Sequence, residues 1–289
     1  MGTYECDILI VGGGPAGSSA AFAARSSGLH VLVVERREQV GSPVRCAEYI
    51  PALLLGEVNM GREFVVQSVR SMRTILPGGE IVETRAPGYT IRRDLFDQIL
   101  ARRAEEAGAE IWLSSSAVAK SDDIVEVRRT NGIVRVKAGI IIGADGPHSR
   151  VGRWIGSVNR NLIPAIQVSV ELTREIYGGY GWLFPKGDRA NAGIGRKEKD
   201  GNPYSLRECL DRFLRRMRKE EKIKAGISGN VAGWIPAERP RVVTKGNILL
   251  AGDAAGHTHP ITGAGVAQAV ICGEMAGRWA ARAVESGDP

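Results

Sequence analysis

The sequence predicts an α/β protein built on a parallel β-sheet, with an inserted α+β second domain. Three observations carry this. The apolar run Ile8-Leu9-Ile10-Val11 passes through clustered glycines into an Ala-rich stretch, and then into a second apolar run, 29–34. The runs Ile140-Ile141-Ile142 and Ile248-Leu249-Leu250-Ala251 read as further strands buried on both faces, each running into a carboxylate, Asp145 and Asp253. The middle of the chain instead gives hairpins and alternating strands, with one strongly two-faced helix.

The first unit has specific physics. Gly12 permits the tight turn off the strand, Gly14 lets backbone N–H groups approach a pyrophosphate, and Gly17 lets the helix over 18–27 pack close to the sheet. The helix N-terminus adds partial positive charge for phosphates. Glu35, at the end of the second strand, is placed to accept hydrogen bonds from ribose hydroxyls. Strand, glycines, helix, strand and terminal acid together predict a dinucleotide site. The alternative is a Gly-rich turn without a ligand.

Later elements follow in order. Arg93 to Asp97 opens a helix running to about Ala107, ended by Gly108. Residues 109–113 read as a strand, and 125–127 with 132–136 as a hairpin turned at Asn131-Gly132. Gly263-Ala264-Gly265-Val266 opens the last helix, to about Val284. Between these, 65–76 and 80–84 form a hairpin, and 166–172 alternates as a strand. Leu206, Leu210, Phe213, Leu214 and Met217 define the buried face of a helix. Its other face carries Arg212, Arg215, Arg216, Arg218, Lys219, Lys222 and Lys224, which reads as solvated, or as resting on anionic lipid or an acidic electron donor.

The composition, 43% hydrophobic and 25% charged, is that of a soluble globular chain, and its net charge of +7 allows an anionic partner. Cys6, Cys46, Cys209 and Cys272 form no C-x-x-C pair, so neither a disulfide framework nor an iron–sulfur centre is expected, and no metal site. The polar start leads straight into a strand and no apolar run has the length of a bilayer span. A cytoplasmic protein, soluble or peripheral to a membrane, with no nucleic-acid partner, is expected.

Four motifs, in order, resemble the FAD enzymes of the p-hydroxybenzoate hydroxylase fold. They are G-x-G-x-x-G at Gly12–Gly17, R-x-x-F-D at Arg93–Asp97, G-A-D-G-x-x-S at Gly143–Ser149, and G-D-A-A at Gly252–Ala255 followed by P-x-x-G-x-G at Pro260–Gly265. The resemblance implies a Rossmann-like FAD-binding domain over 1–60, 87–160 and 236–289, and an inserted β-sheet substrate domain over 61–86 and 161–235. It implies a cofactor set of Gly12, Gly14, Ala16, Gly17, Glu35, Arg36, Arg45, Cys46, Ala47, Arg93, Val118, Asp145, Asp253, Gly263, Gly265 and Val266. In that set Arg93 reaches the ribityl-pyrophosphate region, Val118 meets adenine through its backbone, and Asp253 bonds the ribityl chain. Gly265 and Val266 offer N–H groups to the flavin edge where negative charge develops on reduction. Asp145 has a second reading, as a helix N-cap.

Two segments choose a branch. Tyr180-Gly181-Trp182-Leu183-Phe184-Pro185, with Ala192-Gly193-Ile194-Gly195 beyond, resembles the Y-x-W-x-F-P signature of the geranylgeranyl reductase family. Arg45-Cys46-Ala47-Glu48 resembles that family's Cys-Gly-Glu-like segment, with Ala for Gly. The resemblance implies reduction of C=C bonds in isoprenoid chains of a prenylated lipid or quinone, fed by an external reductant, NAD(P)H or a ferredoxin-like donor. Tyr180, Trp182 and Phe184 alternate onto one strand face, a slot for a prenyl chain or an ordinary core stripe. Cys46 and His257 are the candidate catalytic groups. Each also has a plainer reading, a small buried residue and a loop histidine. An aromatic monooxygenase of the same fold and a flavin-only electron-transfer dehydrogenase are the alternatives. Reductases of this family usually carry further helices that close the substrate site, so an open slot or a partner subunit is expected here.

Overall fold

A computed structural model describes residues 2–25, 27–58, 60–75, 80–172, 181–195, 205–238, 242–259 and 263–287. In chain order the elements are β1 (Thr3–Val11), α1 (Pro15–Arg25), β2 (Val31–Val34), β3 (Tyr49–Pro51), α2 (Ala52–Val58), β4 (Val65–Ile75) and β5 (Ile81–Ile91). Then come α3 (Arg93–Glu106), β6 (Glu110–Trp112), β7 (Ser116–Ser121), β8 (Ile124–Arg129), β9 (Gly132–Gly143), α4 (Arg150–Trp154), β10 (Leu162–Leu172) and β11 (Gly181–Lys186). The chain continues through β12 (Arg189–Gly195), α5 (Leu206–Lys219), β13 (Ile223–Pro236), β14 (Thr244–Lys245), β15 (Ile248–Leu250) and α6 (Val266–Ser286).

The chain divides into two compact units, one of residues 1–42, 94–162 and 236–289, the other of 43–93 and 163–235. These divisions differ from the sequence-based ones, which gave 43–60 and 87–93 to the first domain. The reason is β3, a three-residue strand that pairs antiparallel with β5, Tyr49 opposite Thr90 and Pro51 opposite Gly88. That pairing ties Arg45, Cys46, Ala47 and Arg93 to the second unit.

The first unit is a sheet in the order β14-β15-β9-β1-β2-β6, with β7 and β8 attached beside β9. Ile8 pairs parallel with both Val31 and Ile140, and Ile248 with Ile141. Successive residues of β1 face opposite sides of the sheet. Ile8 and Ile10 join a cluster with Ala16, Ala20, Ala24, Ala276 and Ala280, and Leu9 and Val11 join one with Trp112, Val125, Val151 and Ile155. That double burial is why these strands read as continuous apolar runs.

Helix α1 begins at Pro15, a residue suited to the first helical position because it has no N–H to leave unpaired. Its alanines let α6 approach to backbone contact. A Cβ at Gly273 would lie 2.2 Å from the Ala16 carbonyl oxygen, and one at Gly277 would lie 2.2 Å from that of Ala20. Glycine inside a helix costs about 1 kcal/mol against alanine, so these two are retained for the close approach. Gly273→Val is expected to lower stability by about 3 kcal/mol, read by chemical denaturation. An unchanged midpoint would contradict this packing.

The second unit holds a sheet in the order β11-β12-β10-β13 and another in the order β3-β5-β4. Helix α5 is opened by a capping box in which Ser205 accepts from the Glu208 N–H and the Glu208 carboxylate accepts from the Ser205 N–H. Its Leu210, Leu214 and Met217 pack with Leu183, Ala192 and Ile194. Arg212, Arg215, Arg216 and Lys219 are exposed, as the two-faced pattern predicts. Lys222 departs from it: the helix ends at Lys219, and Lys222 is buried with its ammonium 3.2 Å from Glu220. Among the described residues no helix is long and apolar enough to cross a membrane.

Candidate active site

In the first unit the glycine turn sits at the C-terminal ends of β1, β2 and β9. Gly12 has φ +106°, and a Cβ there would lie 2.3 Å from the Ala144 carbonyl oxygen. A Cβ on Gly17 would lie 1.8 Å from the Gly12 carbonyl oxygen, which makes this the tighter of the two requirements. Around Gly14, by contrast, nothing lies within 4 Å of the Cβ position. The space over Gly14 is therefore open to a ligand, while Gly12 and Gly17 serve the turn itself.

Glu35 is buried and holds that turn. Its Oε2 accepts the Gly13 N–H at 2.7 Å and its Oε1 accepts the Arg37 N–H at 3.0 Å. Each carboxylate oxygen retains a lone pair for a further donor. Arg36 beside it is exposed. Val118 falls where the β7–β8 register shifts, between the pairs Ala117–Val127 and Ala119–Glu126. Its backbone is thus outside the ladder, and its carbonyl accepts from Arg150 Nη1 at 3.1 Å.

Asp145 braces the start of α4. Its carboxylate accepts from Ser149 Oγ at 2.5 Å, from the Arg150 N–H at 2.6 Å and from the Val151 N–H at 3.3 Å. Ser149 itself is the N-cap of α4, its Oγ accepting from the Gly152 N–H at 2.8 Å, and Asp145 braces that turn from behind. Asn159, which sequence reasoning passed over, ties two turns together, donating to the carbonyls of Pro147 at 3.0 Å and Asp253 at 2.8 Å.

Asp253 lies in a short 3-10 turn, Gly252–Ala255, entered through Gly252 at φ +61°. Its Oδ1 accepts from Thr258 Oγ1 at 2.8 Å and lies 3.5 Å from the Cβ position of Gly265. Gly265 is the N-cap of α6 and makes no side-chain capping bond, so the first N–H groups of that helix, from Val266 on, have no side-chain cap. Gly263 is placed by its N–H to the His259 carbonyl, 2.9 Å. Pro260, Ile261 and Thr262 of the same motif lie outside the described residues.

His257 is half-buried, and its Nδ1 has no hydrogen-bond partner among the described residues. Burial holds the imidazole below its ordinary value of 6.5, with the Asp253 carboxylate opposing. Such a histidine takes up its proton more readily in the unfolded chain, so its contribution to stability is present above about pH 6.5 and is lost as pH falls below it. His257→Asn is expected to flatten the fall of Tm between neutral and mildly acidic pH. An identical pH profile for the variant would contradict this.

In the second unit the Cys46-Ala47-Glu48 segment is fastened to the β11-β12-β10 sheet. Gln167 Nε2 donates to the Cys46 carbonyl at 2.9 Å, and Trp182 Nε1 donates to Gln167 Oε1 at 2.9 Å. The sequence candidates Cys46 and Trp182 are thus joined through one buried glutamine. Phe184 shares the Trp182 face, its ring 6.3 Å from that of Tyr49, while Leu183 between them packs toward α5. Tyr180 lies outside the described residues. Arg45 is exposed and Arg93 half-buried.

Glu48 is the anchor of this segment, and no sequence argument selected it. It is non-glycine at φ +67°, a conformation that costs of order 1–3 kcal/mol and persists where surroundings over-determine it. Here they do. The buried carboxylate takes two contacts of 2.8 Å from Lys186 Nζ, one of 2.7 Å from Asn191 Nδ2 and one of 3.0 Å from the Arg93 N–H. The Glu48 N–H donates to Cys46 Sγ at 3.2 Å.

The first unit's features fit FAD: an open glycine turn at a helix N-terminus, an acid after β2, a backbone break at Val118, and a second uncapped helix N-terminus beside Asp253. Comparison with known proteins agrees. Residues 7–146 match the FAD dependent oxidoreductase family and residues 168–233 the geranylgeranyl reductase catalytic domain. Digeranylgeranylglycerophospholipid reductase 1 of Methanopyrus kandleri is 36% identical over an alignment 310 positions long, gaps included, covering 98% of this chain and 82% of that protein. The digeranylgeranylglycerophospholipid reductase of Thermoplasma acidophilum is 35% identical over an alignment of 325 positions, covering 100% and 80%.

Among solved structures, a geranylgeranyl bacteriochlorophyll reductase-like protein from Thermoplasma acidophilum matches with a TM-score of 0.90 at 33% identity, covering 99% of this chain and 80% of that one. A p-nitrophenol 4-monooxygenase from Pseudomonas putida matches with a TM-score of 0.78 at 18% identity, covering 99% and 82%, and so shares the fold alone. With whole-chain identity above a third and both segments matched, the chain belongs to the geranylgeranyl reductase family of FAD-dependent oxidoreductases, on the p-hydroxybenzoate hydroxylase-like fold.

Proposed function

We propose that this enzyme saturates C=C bonds in the prenyl chains of a glycerolipid, with the chain lying along Trp182 and Phe184 and Cys46 supplying the proton. The observation that carries the reading is the Trp182–Gln167–Cys46 connection, which ties the aromatic strand to the backbone of the cysteine segment. The names of the relatives, digeranylgeranylglycerophospholipid reductases, support a lipid as the substrate.

When bound and reduced, FAD would supply the hydride for one alkene carbon. The neighbouring carbon takes the Cys46 proton, and the sulfur regains one from water. The backbone N–H of Glu48 faces the sulfur on which charge appears in that step. His257, its imidazole held below its ordinary value by burial, is the second candidate acid–base group.

The cofactor's pyrophosphate is assigned to the turn from Gly12 through Gly14 and Ala16 to Gly17, its ribose to Glu35 and Arg36, and its adenine to the Val118 backbone. Its ribityl and flavin end is assigned to Asp253, Gly263, Gly265 and Val266, and the family resemblance adds Arg45, Cys46, Ala47 and Arg93. Asp145, whose carboxylate braces the start of α4, completes the set. The reductant is NAD(P)H or a ferredoxin-like donor. The exposed Arg212, Arg215 and Lys219 of α5 are suited to a peripheral contact with anionic lipid.

Anaerobic mixing of the dithionite-reduced holoenzyme with a geranylgeranyl lipid tests this. Return of the oxidised flavin spectrum with the prenyl lipid, and not with its saturated analogue, is expected. Rapid NAD(P)H oxidation in air, triggered by an aromatic compound, would instead identify a monooxygenase.

A further inference from the structure

We infer that Glu48 is a positioning residue for the Cys46 thiol. The inference rests on the reading of Cys46 as the proton donor. The side chain of Glu48 and its backbone do different tasks in the same turn. The carboxylate is buried and gripped from three directions, by Lys186 of β11, Asn191 of β12 and the Arg93 N–H at the start of α3. The backbone carbonyl accepts the Ile91 N–H at 2.9 Å. With both ends fixed, the residue is held in the left-handed conformation that few non-glycine residues adopt.

That conformation is what aims the Glu48 N–H back at Sγ, two residues earlier, at 3.2 Å. Asn191 Nδ2 also donates to the Ala47 carbonyl at 3.3 Å, and Gln167 holds the Cys46 carbonyl. Each of the three residues 46–48 therefore has a side-chain strut from the sheet that carries Trp182. The thiol is fixed relative to the aromatic surface, and its sulfur faces a donor placed in advance of the reaction. A loop held only by packing would leave the sulfur free to rotate.

The test labels the holoenzyme with iodoacetamide and follows each cysteine by peptide mass spectrometry. Cys209 and Cys272, half-buried on α5 and α6, serve as internal references. In Glu48→Gln the labelling rate of Cys46 is expected to rise about fivefold while those of Cys209 and Cys272 stay unchanged, a local opening rather than global loosening. In the same variant kcat for lipid reduction is expected to fall about tenfold with KM within about twofold, as for a group needed only in the chemical step.

Where Glu48→Gln folds poorly, Glu48→Gln with Lys186→Met removes both charges of the pair together and is read the same way. Unchanged Cys46 labelling, or a rise shared by all three cysteines, would overturn the proposal. The labelling comparison needs no turnover, so it reads the placement of the thiol even if a prenyl lipid proves not to be the substrate.

Discussion

Gly14→Val is expected to give a folded protein that binds FAD at least about a hundredfold more weakly. The Cβ position of Gly14 meets nothing within 4 Å, so the chain itself accommodates a side chain there. The space it would fill is the space above the helix N-terminus, to which the proposed function assigns the pyrophosphate. Gly17→Ala is expected to behave differently. Its methyl group would stand 1.8 Å from the Gly12 carbonyl oxygen, so the turn must open and α1 must shift from β1. That variant loses stability, by about 3 kcal/mol, along with the cofactor. Flavin released on denaturation, measured against protein, together with an unfolding curve, separates the two. A Gly14→Val protein with full flavin content would contradict the assignment of that space to the cofactor.

Lys186→Met is expected to lower stability by about 3 kcal/mol, because it leaves the Glu48 carboxylate buried without its cation. The low end of the usual range applies, since Lys186 is about a fifth exposed and Asn191 and the Arg93 N–H still reach the carboxylate. Adding Glu48→Gln removes the uncompensated charge, and most of the loss is expected to return. Denaturant midpoints of the two single variants and the double variant give the coupling between the residues. Additive losses would mean that the pair is not a unit. In the labelling experiment the double variant is decisive, because its recovered stability is expected to leave Cys46 loosened.

The sequence made the first unit's core and turn legible for a physical reason. Everything in it is local: Val11, Gly12 and Gly17 lie within one strand-turn-helix, and Glu35 closes the same unit. Ala-rich α1 foretold a small-sided helix, and Gly273 and Gly277 supply the matching surface on α6. The signals that failed were those needing a partner far along the chain. Glu48 stood inside a quoted motif, yet a glutamate reads as solvated until Lys186 and Asn191, well over a hundred residues on, bury it. Gln167 sat in an alternating strand as one polar residue among others. Strand β3 escaped notice because three residues ending in proline carry no periodicity, and with it went the division between the units. Lys222 looked like the continuation of a basic helix face because nothing local marks the end of α5 at Lys219.

The central claim is that this FAD enzyme adds hydrogen across prenyl double bonds. The direct test is anaerobic incubation of the dithionite-reduced holoenzyme with a digeranylgeranyl glycerophospholipid, followed by mass spectrometry of the lipid. A mass gain of one hydrogen molecule per saturated double bond, lost in Cys46→Ala, is the expected result. An unchanged lipid mass across several prenyl lipids, with the flavin reduced and bound, would contradict the account.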